Sequence, residues 1–99
     1  MAMGLTFHRL IQRDLRSVRA YYQEEGGAEL SARFYEEFEA VVRQIEWNPL
    51  RFHSVSDALR RANFPSFPYH FLFRANDEGV RILVLRHHRR KPDYGTARQ

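Results

Sequence analysis

The stretch Phe64 to Pro92, FPSFPYHFLFRANDEGVRILVLRHHRRKP, constrains the fold of this chain more than any other. Phe67, Tyr69, Phe71 and Phe73 fall on alternate positions, and further on Val80, Ile82 and Val84 alternate with Arg81, Leu83 and Leu85. Successive strand side chains point to opposite faces, so each run can cover a core with one face. Asn76-Asp77-Glu78-Gly79 between them is turn chemistry, with Gly79 free to take a positive φ. The spacing therefore predicts a β-hairpin. Its outgoing strand delivers Arg86, His87, His88, Arg89, Arg90 and Lys91 to one end of the domain.

The rest of the chain supplies a partner for that hairpin. Leu5 to Arg9 alternates and predicts a short strand. From Ile11 the period changes: Ile11, Leu15, Val18 and Tyr22 mark one face of a helix, with Arg13, Asp14, Arg16 and Gln23 off that face. Gly26-Gly27 should end it. A second stripe, Leu30, Phe34, Phe38, Val41 and Ile45, predicts a helix starting near Ala28 or Ser31 and closed by Asn48-Pro49. Leu50 to Asp57 reads as a loop and Ala58 to Phe64 as a short basic strand. The expected fold class is α+β: an antiparallel helical hairpin packed on a mostly antiparallel four-stranded sheet, in the order β-α-α-β-β-β. With 99 residues and no repeat, linker or low-complexity run, residues 1–99 are expected to form a single domain.

Charge narrows the partners. The formal charge is +4 and the isoelectric point about 10, which favours an acidic partner, nucleic acid or an acidic protein segment. Of the 16 basic residues only Lys91 is lysine, and arginine suits planar contact with phosphate or carboxylate. Without cysteine there is no disulfide, thiolate nucleophile or Cys-ligated zinc. MAMGLTFHRL lacks a signal-peptide pattern and no apolar run approaches a membrane span, so a cytoplasmic protein with no membrane partner is expected. Met1 and Met3 are both possible starts.

Three constellations bear on chemistry. His87-His88 suggests a metal, but neighbours in a strand face opposite ways and no HExxH or Cys/His set supports a site, so no metal and no cofactor are expected. His87 or His88 beside Arg86, Arg89 and Arg90, joined by Arg60 and Arg61 if their strand is adjacent, has the composition of an RNA-cleaving site. A histidine would move a proton and an arginine would stabilise the phosphorane. A solvated basic strand end explains the same residues without function and is the commoner case. The aromatic run could stack RNA bases, but so regular a stripe beneath amphipathic helices is more often core.

The order of elements, Asp14-Leu15, Asn48-Pro49, Arg61, Phe67-Pro68-Tyr69 and the ending His87-His88-Arg89-Arg90-Lys91-Pro92 together resemble the ParE/RelE superfamily of bacterial type II toxin–antitoxin toxins. The resemblance covers nearly the whole chain and leans toward ParE-like, plasmid-stabilisation proteins. It implies growth arrest through DNA gyrase, neutralisation by a cognate antitoxin, and no chemistry of its own. Arg61, Arg86, His87, Arg89, Arg90 and Lys91 are then the expected partner-binding residues. The alternative it implies is a RelE-like endonuclease that enters the ribosome and cuts mRNA, with His87, His88, Arg61 and Arg86 catalytic. Arg89 stands where the ribonuclease pattern has a tyrosine, and Tyr94 lies beyond Pro92. A basic nucleic-acid-binding module with no toxin role is the third reading.

Overall fold

The two alternating runs become the middle of a sheet. In the computed structural model, which describes residues 4–56 and 58–99, β4 (Tyr69–Asn76) and β5 (Gly79–His87) pair antiparallel around the turn Asp77-Glu78. The Asn76 side chain accepts the Glu78 N–H at 2.9 Å, and Gly79 has φ 138°, closed to other residues without strain. The start at Met1 or Met3 and Asp57 at the end of the expected loop lie outside the described residues.

The sheet corrects the expected one. It has five strands in the order β1-β5-β4-β3-β2 and is mixed, because β1 (Leu5–Phe7) runs parallel to β5. The expected loop contains a 3-10 turn (Pro49–Arg51) and a two-residue strand, β2 (His53–Ser54), paired with β3 (Arg60–Asn63). Two residues carry no period, so only the pairing reveals that strand.

The helical layer is also corrected. In place of two helices joined by a segment, one helical element, α1, spans Ile11–Trp47, and its single non-helical residue is Gly27 at φ 81°, ψ −173°. That one residue reverses the chain. Arg19 Nε donates to Ser31 Oγ at 3.1 Å, whereas twelve residues of straight helix would separate them by about 18 Å. Asn48-Pro49 ends the element as the sequence requires, Asn48 leaving helical geometry at φ −152°.

Both stripes of α1 pack on one sheet face. Phe34, which is fully buried, meets the rings of Phe64, Phe67 and Tyr69, and Phe38 meets Phe71 edge-on at 5.1 Å. The far half of β5 departs from simple alternation. Leu72 pairs with Val84 but Phe73 with Ile82, which leaves Leu83 as a bulge. Beyond it the faces exchange, so Leu85 joins the helix-side core with Val80 and Ile82. Val84 joins Leu72 and Leu83 on the opposite face, where Tyr94 of the C-terminal segment covers them. The bulge thereby decides which of the terminal basic residues face the helices and which the open side.

Candidate functional site

On the open face the cross-strand pairs Asn63↔His70 and His70↔Arg86 place His70 between two edges of polar side chains. His70 is 1% exposed and uses both ring nitrogens. Arg86 Nε donates to His70 Nε2 at 2.9 Å, and His70 Nδ1 lies 2.9 Å from His88 Nδ1. The two imidazoles stack with 16° between planes. Arg61 Nη2 approaches the same His88 Nδ1 at 3.1 Å, while Arg61 Nε donates to Asn63 Oδ1 at 2.8 Å.

The proton positions follow from the donors. An arginine cannot accept, so His70 Nε2 must accept and its proton sits on Nδ1. His88 Nδ1 then accepts from His70 and from Arg61, which leaves the His88 proton on Nε2, away from the cluster. A second proton on either ring would meet only other donors. Burial, then the charges of Arg61, Arg86, His88 and His87, push the His70 pKa down to about 3. Burial, then Arg61 and His87, also lower His88 from its ordinary value. Both rings are neutral at pH 7.

Arg86 is committed elsewhere as well. Its Nη1 donates to the carbonyls of Pro92 at 2.7 Å and Tyr94 at 2.9 Å, tying the C-terminal segment to β5. His87 lies on the helix side, edge-on to Tyr69 at 5.0 Å, its Nδ1 accepting the Arg89 N–H at 3.0 Å. Arg89, Arg90 and Lys91 are exposed in the turn after β5, with Arg90 stacked over Tyr94 at 4.4 Å. The fold thus gathers Arg61, Arg86 and His88 and sends His87 to the opposite face. Arg60 turns away, donating to the Phe52 carbonyl at 2.7 Å.

Two features escaped the sequence. His70 is the hub of the cluster, where the sequence offered only a sheet histidine that needs no function and, through the resemblance, a basic residue on the central strand. Asp14, expected off the buried face, is buried and paired with Arg98 at 2.7 Å, the two being 10% exposed or less. The pair takes over the edge of β5 where β1 stops: Leu85 N–H donates to Asp14 and Arg98 donates to the Leu83 carbonyl. Nothing in the sequence links residues 14 and 98.

The fold and site are those of a small α+β protein with arginines clustered at one end of its sheet. Residues 5–92 match the family described as the ParE toxin of the type II toxin–antitoxin system, parDE, and the chain belongs to that family. Among solved structures it is similar to the one titled chromosomal ParDE TA system from P. aeruginosa. The TM-score is 0.77 at 18% identity, over 87% of this chain and 96% of the other. Comparison with curated proteins gives no match.

Proposed function

We propose that this chain, acting as a single domain over residues 1–99 in the cytoplasm, arrests growth by inhibiting DNA gyrase until a cognate antitoxin covers it. The observation that carries this is family membership over residues 5–92. The site supports contact over catalysis. The inward nitrogens of His70 and His88 are engaged by donors, Arg86 is spent on His70 and the C-terminal carbonyls, and His87 faces away. At this end the cations that make no ion pair or side-chain hydrogen bond among the described residues are those of the turn, Arg89, Arg90 and Lys91. They form the surface offered to the target, flanked by Arg61 on the open side and His87 on the helix side. Arg86 serves that surface by holding the segment beneath it. Purified toxin in excess should abolish supercoiling by purified gyrase; undiminished supercoiling would remove the gyrase target.

The antitoxin has its own surface. A groove of about 720 Å³ runs between the two halves of α1, with Ile11, Leu15, Phe38 and Val42 along it and Arg19 and Arg43 at its rim. It suits an apolar segment with acidic flanks. Association should slow markedly as salt rises, since rim arginines steer the encounter. A rate unchanged by salt would contradict the electrostatic part.

A second reading keeps one observation in its favour. Arg61, His70, Arg86 and His88 share one open face, and the outward His88 Nε2–H could donate a hydrogen bond to a phosphate oxygen held beside Arg61. Primer extension on translated mRNA should then show cuts at ribosome-bound codons, and intact message would remove this reading.

A further inference from the structure

A second cleft, of about 380 Å³, opens between the first half of α1 and the end of β5. It is separate from the antitoxin groove and meets the His70 cluster only at Arg86, whose guanidinium is spent on His70 and the C-terminal carbonyls. Its volume is that of a small-molecule site. Its lining is rich in donors. Arg13 and Arg90 contribute guanidiniums that make no ion pair among the described residues. Tyr69 lines it too, and its hydroxyl has no hydrogen-bond partner among the described residues. His87 accepts the Arg89 N–H on Nδ1, so the neutral ring carries its proton on Nε2, free to donate. The single carboxylate at the cleft, Asp14, is already spent: Oδ2 takes Arg98 and the Leu85 N–H, and Oδ1 takes Arg98 again.

Such a cleft selects a ligand made of acceptors. A carboxylate brings two oxygens and one charge. A phosphate monoester brings three terminal oxygens and nearly two charges, which answers two guanidiniums and two neutral donors more completely. Besides Ser17, Val18 and Leu85, the remaining wall carries two aromatic rings: Tyr21, 53% exposed, on the helix side and Tyr94, beneath Arg90, on the other. Exposed tyrosine rings beside arginines hold a planar base by stacking.

We propose that this cleft binds a nucleoside 5′-monophosphate group, its phosphate held by Arg13, Arg90 and the His87 Nε2–H and its base laid against Tyr21. The shared chemistry is a phosphorylated 5′ end, whether of a free nucleotide or of a nucleic-acid strand. The site shares Arg90 and His87 with the proposed target surface but does not depend on the gyrase reading, and it is tested on the purified chain alone.

Calorimetric titration with adenosine 5′-monophosphate, adenosine and inorganic phosphate makes the test. The monophosphate should bind, and adenosine, which loses all three phosphate contacts, should bind more than about a hundredfold more weakly or not at all. Arg13→Gln should weaken the monophosphate about tenfold on the same grounds. Arg43→Gln, which removes the same charge from the other groove, should leave it unchanged. A tetranucleotide with a 5′-phosphate that outcompetes the mononucleotide assigns the site to strand ends; equal affinity assigns it to free nucleotide. Monophosphate no tighter than adenosine, or equal losses from Arg13→Gln and Arg43→Gln, would overturn the site. If Arg13→Gln lowers the melting temperature, Tyr21→Ala, an exposed change, serves instead. It should weaken adenosine monophosphate and leave inorganic phosphate unaffected, and unchanged nucleotide binding would overturn the stacking role.

Discussion

At the scale of single residues, His70 shows how far a buried group can be dictated by its neighbours. The unfolded chain protonates this imidazole near its ordinary value of 6.5, while the folded protein resists until about 3. Below pH 6.5 the unfolded state therefore holds a proton that the native state lacks. Stability is full above that pH and falls as pH drops toward 3. His70→Gln keeps an acceptor for Arg86 without a titrating ring. It should be less stable at pH 7 yet lose less on acidification, read by urea unfolding at pH 7, 5.5 and 4. Equal acid losses in the two proteins would show that His70 does not drive the effect. Asp14 makes the complementary point about charge. Asp14→Ala strands Arg98 in a site where both partners are nearly buried and should cost about 3–5 kcal/mol. A loss below about 1 kcal/mol, the range of exposed pairs, would show that the pair behaves as a surface one.

At the scale of elements, a single backbone conformation sets the helical layer. Gly27 at φ 81°, ψ −173° lies in a region that side chains exclude, and the space around a Cβ there is open. Gly27→Ala should thus cost about 1–3 kcal/mol through backbone strain alone. Gly26→Ala tests a different cause, because its Cβ would press on the movable Leu30 side chain, 2.6 Å away. Thermal unfolding that ranks Gly27→Ala as neutral would mean that the reversal of α1 is not fixed at this residue. The elements also show what periodicity can carry. The aromatic alternation of β4 and the two apolar stripes of α1 were legible because each spans several repeats of its period. The two-residue β2 offers no repeat. The parallel pairing of β1 depends on where α1 returns the chain, and the Leu83 bulge on a register that no local pattern encodes.

At the scale of the whole molecule, the same bulge explains why the basic end was only half legible. The sequence placed Arg86 to Lys91 at the close of the last strand, and they are there. It could not tell that Arg86 and His88 would turn to the open face with Arg61 while His87 turned to the helices. Nor could it show that Arg86 would be drawn into the fold by the carbonyls of Pro92 and Tyr94. The density of charge therefore divides into a structural member and an exposed turn. That turn is where working contacts are expected, since Arg89 and Lys91 are exposed and Arg90 is exposed and stacked over Tyr94, with no ion pair among the described residues. Replacing both Arg89 and Arg90 by alanine removes at most one exposed cation–π contact, so stability should fall by less than about 1 kcal/mol. Growth arrest should be reduced, because two cations leave the proposed target surface. His88→Ala then separates the mechanisms, because His88 and not His87 stands beside Arg61. A ribonuclease that relies on His88 would lose about 10²–10⁴-fold in cleavage, whereas a gyrase inhibitor should lose binding only modestly. A double arginine variant that folds, melts like the parent and still arrests growth in full would end the assignment of this turn as the working surface.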